Sequence, residues 1–398
     1  MDYNKEIQAG QSIDFGFIID CSKEFSPEET VLDVQADSGS ASVKVSGLGG
    51  QKTGEVTEGS STSSSSDSSS GDSSKSSDTS ASAGNSTGGN SVVPDGANPV
   101  RQHGRLSVKE TSLVDKKGRK YRLKGVSTHG IAWFPEYVNK SAFKSLKKRY
   151  KVNTIRLAMY SATDAGYTKS LHAKVKEGVK YATELGMYVI IDWHILSDGN
   201  PNTADNIRRA KAFFKEMSKA YKKQSNVIYE ICNEPNGNVT WDNDIKPYAN
   251  KMIKVIRKND KKAVIIVGTP TWSQDVDVVS NSPLKGYKNI MYALHFYAAT
   301  HKDDLRNKAQ TALNNGLPIF ISEYSICDAS GNGSLDKASA SEWFKFIKKN
   351  NLSCMAWSLC NKDEAASLLK PSCTKTGGFK NSDLSTTGKW ILSRYRKM

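Results

Sequence analysis

The sequence predicts a (β/α)8 barrel of the TIM type, preceded by a Ser-rich linker and a short β-type N-terminal piece. After Val100 the chain repeats one rhythm: a short β-branched or apolar run, a polar loop, then a longer stretch with helical spacing. Apolar runs that alternate with helices belong to strands of a parallel sheet, buried on both faces. There are eight such runs, and an open doubly wound sheet would have no reason to stop at eight, so a closed barrel is preferred. The 298 residues from Arg101 onward are enough for a core of that size.

Taken in order, residues 1–45 hold one strand-like alternation, Ser12–Ile19, after the turn-like pair Ala9-Gly10. About 40 residues are too few for an independent sheet, so this stretch reads as the remnant of a truncated module. Residues 46–97 read as a linker, because 14 of the 21 positions from 60 to 80 are Ser and none can anchor a core. Such a composition cannot offset its ordering entropy, and disorder is expected. From residue 98 to 398 the expected strands are Tyr121–Ser127, Thr154–Met159, Tyr188–Trp193, Val227–Cys232, Ala263–Gly268, Ile290–Phe296, Pro318–Glu323 and Cys354–Leu359. Helical spacing marks Ser141–Tyr150, Ser170–Leu185, Thr203–Lys222, Asp244–Lys258, Asp303–Asn314 and Leu335–Lys348, with Gly186 as a C-cap before the third strand.

Charge divides the chain unevenly. Of 56 Lys/Arg and 41 Asp/Glu, residues 1–100 hold 5 and 15, leaving 51 and 26 in the barrel region. The basic excess raises a nucleic-acid-binding reading. Runs such as Lys144–Lys151 and Lys258–Lys262 lie on predicted helices, away from the barrel mouth, so solvated helix faces are the simpler reading and no nucleic-acid partner is expected. No apolar run approaches the ~18–20 residues that span a bilayer, and no membrane association is expected. Six cysteines without a C-x-x-C spacing are too few for a disulfide-built scaffold and suggest no metal site, although isolated pairs stay open. Asp2, Glu6 and Asp14 stand where a signal peptide would be basic and then apolar. The Ser-rich linker nonetheless suits an extracellular protein, so a missing N-terminal region is expected.

In a TIM barrel the chemistry is built at the C-terminal ends of the strands. Those ends read Ser127-Thr128-His129, Arg156, Asp192-Trp193-His194, Asn233-Glu234-Pro235, Thr269, His295-Phe296-Tyr297, Ser322-Glu323 and Trp357. Glu234 and Glu323 follow the fourth and seventh strands, so they can face each other across the mouth. Paired carboxylates suggest glycoside hydrolysis, one giving a proton to the leaving oxygen and the other attacking the anomeric carbon. Their surroundings must then differ. Arg156 is the natural cation to keep Glu323 ionised, and Tyr297 a donor to it, while proximity and partial burial would hold the proton on Glu234.

Single residues admit plainer readings. Glu234 alone could cap a helix, Arg156 could be an ion-pair partner, and His129, His194 and His295 could each be core histidines. Trp241 and Trp272 could be outer-layer packing or sugar platforms. Lys362 and Glu364 could be a solvated pair on a loop.

Taken together, Asn233-Glu234-Pro235, the Gly237–Trp241 segment, Gly268–Asp275, His295–Ala298, Ile321–Tyr324 and Trp357–Glu364 closely resemble the family 5 glycoside hydrolases, and among them the bacterial endo-β-1,4-glucanases. The resemblance covers about residues 101–398. It implies a retaining double displacement with Glu234 as proton donor and Glu323 as nucleophile, and no metal or other cofactor. It places Arg156, His194, Asn233, His295, Tyr297 and Trp357 around the sugar at the cleavage point. His129, Trp133, Phe134, Tyr160, Ala329, Ser330, Lys362, Asp363 and Glu364 match positions on the glycone side.

Flat aromatic faces such as Trp133, Trp357 and, as sugar platforms, Trp241 and Trp272 suit the ribbon of a β-1,4-glucan, the expected polysaccharide partner of a monomeric, secreted enzyme. Mannanase, xyloglucanase or mixed-linkage glucanase activity on the same scaffold stays open, as does a non-catalytic carbohydrate-binding protein. Tyr324-Ser325 departs from the Trp-Gly usual after the nucleophile. The run Tyr3–Phe17 looks like the last strands of bacterial cellulose-binding modules, which marks 1–45 as a remnant of a carbohydrate-binding module.

Overall fold

Eight parallel strands close into a barrel in chain order, each paired with the next in sequence and the last with the first. The structure, a computed structural model, describes residues 30–36, 39–45 and 98–398. The chain divides into two units, residues 1–84 and 85–398. In the first, strands β1 (Thr30–Ala36) and β2 (Gly39–Val45) pair antiparallel from Thr30 opposite Val45 to Ala36 opposite Gly39. The expected strand Ser12–Ile19 and the linker 46–97 lie outside the described residues.

The second unit opens with α1 (Pro99–His103) and the antiparallel pair β3 (Ser107–Lys109) and β4 (Ser112–Val114). The barrel strands are β5 (Lys124–Thr128), β6 (Thr154–Tyr160), β7 (Tyr188–His194), β8 (Val227–Glu230), β9 (Ile265–Val267), β10 (Ile290–Tyr297), β11 (Ile319–Ser325) and β12 (Cys354–Leu359). All eight strands expected in the barrel are present. Tyr121 to Leu123 stay outside β5 because the Tyr121 N–H bonds the Leu113 carbonyl beside the β3–β4 pair.

The outer layer comprises α2 (Lys140–Tyr150), α3 (His172–Glu184), α4 (Ala204–Tyr221), α5 (Lys246–Arg257), a single turn α6 (Pro270–Ser273), α7 (Val276–Asn281), α8 (Asp303–Asn314), α9 (Lys337–Lys349) and α10 (Thr386–Tyr395). Of the eight that are longer than a single turn, sequence periodicity finds six. It misses α7, whose six residues are too few to show a 3.6-residue repeat, and α10, which opens on Thr386-Thr387-Gly388 and so lacks helix-forming residues at its start. Caps fix several starts: the side chains of Asn139, Thr203, Asp336 and Ser385 accept the backbone N–H of Ala142, Asn206, Ser339 and Gly388. Gly186 ends α3 in the left-handed region at φ 64°, as its place before a strand predicts.

Two apolar layers hold the barrel. Outward-facing strand residues such as Ile155, Leu157, Ile191 and Trp193 pack against the helices. Inside, Leu106, Leu113, Tyr121 and Leu123 form one buried cluster with Ile190, Ile228, Ile266, Phe320 and Met355, closing the end at which the strands begin. Side chains repeat every second residue along a strand. The inward row that is apolar at Ile190 and Ile228 is therefore charged one step higher, at Asp192 and Glu230, which pair in register. One step above Asp192 stands His194, opposite Tyr160. The interior thus changes from oil to charge to aromatic hydroxyls along the strand direction, and the site lies at the polar end.

Candidate active site

The last turn of β8 and the segment after it place the first carboxylate. Ladder pairing ends at Glu230, but the Ile231 N–H still bonds the Ile266 carbonyl, the Asn233 N–H bonds Trp193 and the Glu234 N–H bonds Ile195. The backbone is thereby pinned to its neighbours on both sides while it turns inward. Gly268 makes the turn possible: a Cβ there would stand 2.4 Å from the Cys232 carbonyl and 2.9 Å from the Pro235 ring. The second carboxylate, Glu323, is carried by β11 where its register with β10 and β12 shifts.

Arg156 ties the floor of the site together. It is fully buried, and its Nη1 lies 3.0 Å from Glu323 Oε2, its Nε 2.7 Å from Glu230 Oε2, and its Nη2 2.6 Å from Asn233 Oδ1 and 3.1 Å from Asp192 Oδ2. Burial would pull its proton affinity down, but the charges of Asp192, Glu230 and Glu323 outweigh that and hold it above the usual arginine range. Tyr297 completes the surroundings of Glu323 by donating its hydroxyl to Oε1 at 2.8 Å. Burial and the charges of Glu323 and Glu234 push that phenol well above its ordinary value, so it remains an O–H donor. Glu323 therefore receives one donor on each oxygen, as a carboxylate requires.

Glu234, 8% exposed, receives His295 Nδ1 on Oε1 at 2.8 Å. His295 Nε2 lies 2.9 Å from Ser322 Oγ and 3.8 Å from Glu230 Oε1. Burial alone would strip this imidazole of its proton; Glu230, Glu234 and Glu323 reverse that and lift it to about 9. His194 behaves oppositely. Burial and Arg156 lower it to about 3, so the neutral ring donates Nδ1–H to Asp192 Oδ2 at 2.7 Å and accepts Asn233 Nδ2–H on Nε2 at 3.2 Å. With its oxygen on Arg156 and its nitrogen also on the Ile195 carbonyl, the Asn233 amide has one possible orientation.

Above this floor an open cleft of about 530 Å³ is lined by His129, Trp133, Tyr160, His194, Glu234, Trp272, His295, Tyr297, Glu323, Ala329, Ser330, Trp357, Lys362 and Glu364, together with Leu196, Gln274, His301 and Gly331. Trp133 and Trp272 are 49% and 45% exposed at its rim. Trp357, on the end of β12, stacks on His194 at 5.2 Å, and its peptide bond to Ser358 is cis. The Lys362 ammonium stands 2.6 Å from Glu364 Oε2, so the two form a pair that also lines the cleft. His129 is held neutral, at about 3, by burial and the charge of Lys362, and its Nδ1 accepts the Gly130 N–H.

Trp241 is a correction. Its ring is 2% exposed within the outer core, packs edge-on to Tyr292, and donates Nε1–H to the Ser282 carbonyl, because the turn that carries it leads directly into α5 and faces the helix layer. Phe134 does not line the cleft; it packs on the core and supports His129 at 4.9 Å. Asp363 is exposed outside the cleft, and Asn233 and Arg156 sit beneath its surface. Tyr324 faces outward, stacked on Phe296 and donating to the Tyr395 hydroxyl, so its departure from the usual residue touches the helix layer and not the site. Sequence reading missed Glu230, Gln274 and His301. Glu230 had a signal, as the one charge in the apolar run Val227-Ile228-Tyr229-Glu230-Ile231; Gln274 and His301, set by loop geometry, had none.

Two sets of side chains could hold a metal ion among the described residues: His129, Cys360 and Glu364, and Glu234, His295 and Glu323. In the first, His129 Nδ1 already accepts an amide, so Nε2 carries the ring proton and is not free to ligate. All five cysteines among the described residues are buried free thiols.

Residues 114–363 match the sequence profile of the cellulases, glycosyl hydrolase family 5. An endoglucanase of Clostridium saccharobutylicum is 48% identical over 291 residues, 72% of this chain and 64% of that protein. Endoglucanase 5 of Pectobacterium carotovorum is 46% identical over 302 residues, 75% of this chain and 59% of its own length. The chain therefore spans less than two thirds of either relative. The catalytic domain of Thermobifida fusca endoglucanase Cel5A superposes with a TM-score of 0.71 at 34% identity, over 75% of this chain and 99% of that domain. On sequence and on fold alike, the chain belongs to glycosyl hydrolase family 5, the cellulase family.

Proposed function

We propose that the protein is a secreted, monomeric endo-1,4-β-glucanase that hydrolyses internal bonds of cellulose or soluble β-glucans with retention of anomeric configuration. One observation carries the reading. A carboxylate oxygen of Glu234, one of Glu323 and a ring nitrogen of His295 all lie within 4.8 Å of one another on the floor of an open cleft. Carboxyl groups ~5–5.5 Å apart leave no room for a water between them, which is the retaining arrangement.

In the first step the Glu234 carboxyl gives its proton to the glycosidic oxygen while Glu323 attacks the anomeric carbon. The C–O bond to the leaving sugar breaks as the glycosyl ester forms. In the second step Glu234 takes a proton from water, the hydroxide displaces Glu323, and both residues return to their starting states. Arg156 and Tyr297 stabilise the Glu323 carboxylate as it leaves, and aromatic platforms at both ends of an open cleft suit a chain bound along its length. The T. fusca enzyme in complex with cellotetraose supports a β-1,4-glucan as substrate. For the N-terminal part, we infer a carbohydrate-binding piece in residues 1–45 and a linker in 46–97, supported by the β1–β2 pair and by the Ser content.

A hydrolysis panel of carboxymethylcellulose, lichenan, xylan and mannan tests the specificity. Carboxymethylcellulose and lichenan should be cut and mannan left intact; a preference for mannan would overturn it. Glu323→Ala should lose nearly all turnover, about 10^4-fold or more, and still bind cello-oligosaccharides by calorimetry.

A further inference from the structure

Beneath the two carboxylates lies a buried anion to which the proposed mechanism gives no task. Glu230 is 0% exposed, and its Oε2 is taken up by Arg156 Nε at 2.7 Å. Its Oε1 has no hydrogen-bond partner and faces His295 Nε2 at 3.8 Å, a distance too long for a hydrogen bond and short enough for strong charge coupling in a dry site. A carboxylate oxygen left bare in a protein interior is costly unless a nearby cation compensates it. The arrangement forms one continuous row: Glu323, Arg156, Glu230, His295, Glu234. Glu230 is the middle member, joined to the nucleophile through Arg156 and to the proton donor through His295.

We propose that Glu230 is a positioning residue whose negative charge keeps the acid proton within the Glu234–His295 pair, so that it is available to the leaving oxygen. The proposal rests on the glycosidase reading above.

Two carboxylates and an imidazole in contact share protons as a unit, and removing an anion beside such a unit always weakens its hold on them. The groups that act on His295 are Glu230 and Glu234 from the β8 strand and the segment after it, Glu323 from β11, and Asp192 and His194 from β7, with Arg156 of β6 beyond Glu230. Of the acids, Asp192 does not substitute for Glu230: its Oδ2 is taken up by His194 Nδ1 and Arg156 Nη2, and burial with the charges of Glu230 and Glu323 pushes its carboxyl well above its ordinary value despite Arg156. Glu230 is held at about 2 by Arg156 and His295 against the push of burial.

The test uses the full chain, with kcat/KM on carboxymethylcellulose followed against pH and the His295 ring titrated by NMR, its signal identified by its loss in His295→Gln. In the unaltered protein His295 should remain protonated at about pH 7.5. Glu230→Gln keeps the shape and removes the charge; it should lower the His295 midpoint and move the alkaline limb of kcat/KM toward acid by about one unit or more, with Glu230→Asp lying between. A purely structural role would lower activity at all pH values without moving the limb. His295 already neutral at pH 7.5 in the unaltered protein, or an unmoved titration and limb in Glu230→Gln, overturns the proposal. If Glu230→Gln does not fold, the unaltered protein and Glu230→Asp still decide between these outcomes. If the unaltered protein cuts no β-1,4-glucan, the reaction assigned above fails, while the NMR titration continues to test Glu230.

Discussion

Two tryptophans show how one residue type serves two ends of this molecule. Trp241 is buried with its indole N–H on a carbonyl, whereas Trp272 is half exposed at the rim of the cleft. Trp241→Phe should cost about 1–3 kcal/mol of stability, through the lost hydrogen bond and the space left behind, and leave KM unchanged. Trp272→Ala should do the reverse, raising KM for a polysaccharide about 3–10-fold with no change in melting temperature. Denaturation curves and steady-state kinetics on both variants check the pair; a KM effect from Trp241 would return it to the site. Sequence left the two equivalent, because both follow strands and both neighbour turn residues. What separates them is which side of a loop faces solvent, and a loop carries no periodicity to say so. Arg156, Glu323 and Tyr297 were legible for the opposite reason: they lie on strands, where register fixes direction, and Glu234 follows the fourth barrel strand by four residues.

At the scale of elements, the acid-bearing segment after β8 is held by the turn after β9. Thr271, Trp272 and Ser273 take positive φ angles of 55°, 52° and 58°, a conformation that costs ordinary residues of order 1 kcal/mol each. The turn persists because it is fastened. Trp272 N–H donates to the Pro235 carbonyl, Ser273 Oγ to the Asn233 carbonyl at 2.6 Å, and Thr271 Oγ1 to Asp275. Trp272 and the segment that carries Glu234 are thus parts of one piece. Gly268→Ala tests this, since the new Cβ would strike the Cys232 carbonyl and push the segment. It should lower kcat about 10–100-fold by misplacing Glu234, with a stability loss of about 1–3 kcal/mol. Unchanged kcat would mean that the segment tolerates the shift. Strands were readable from sequence as apolar runs, and most helices from their spacing. The fastened turn was not, because the hydrogen bonds that tie it to the segment after β8 join residues about 40 positions apart.

For the whole molecule, burying so many titratable groups makes stability depend on pH. His129 and His194, at about 3, and His301, at about 4, are neutral when folded, all chiefly through burial, and must gain a proton when unfolded near the usual ~6.5. Between those values the unfolded chain binds more protons, so stability falls as pH drops from about 6.5 toward 3. Glu230, at about 2 in the fold, adds to the loss below the usual carboxylate value of ~4.3. Asp192, pushed above its ordinary value chiefly by burial, opposes these groups. His295 has the opposite sign: raised to about 9, it stabilises fully below ~6.5 and loses that contribution as pH rises through 9. Calorimetry should therefore find the highest melting temperature near pH 6.5, lower at 4.5 and at 9; a maximum at pH 4.5 would contradict the sign of the histidine contributions. The barrel itself was plain in the sequence, because eight repeats of one rhythm leave few alternatives. The buried charge layer was only half plain, since a lone acid inside a strand announces that it has a partner without naming it.

The most direct measurement is to trap the reaction halfway. An activated 2-deoxy-2-fluoro-cellobioside slows hydrolysis of a glycosyl ester more than its formation, so mass spectrometry of the digested protein should find one cellobiosyl group, on the peptide that carries Glu323, and none in Glu323→Ala. An unlabelled protein that releases the α-anomer would mean that water attacks directly, and that the two carboxyl groups stand far enough apart to admit it.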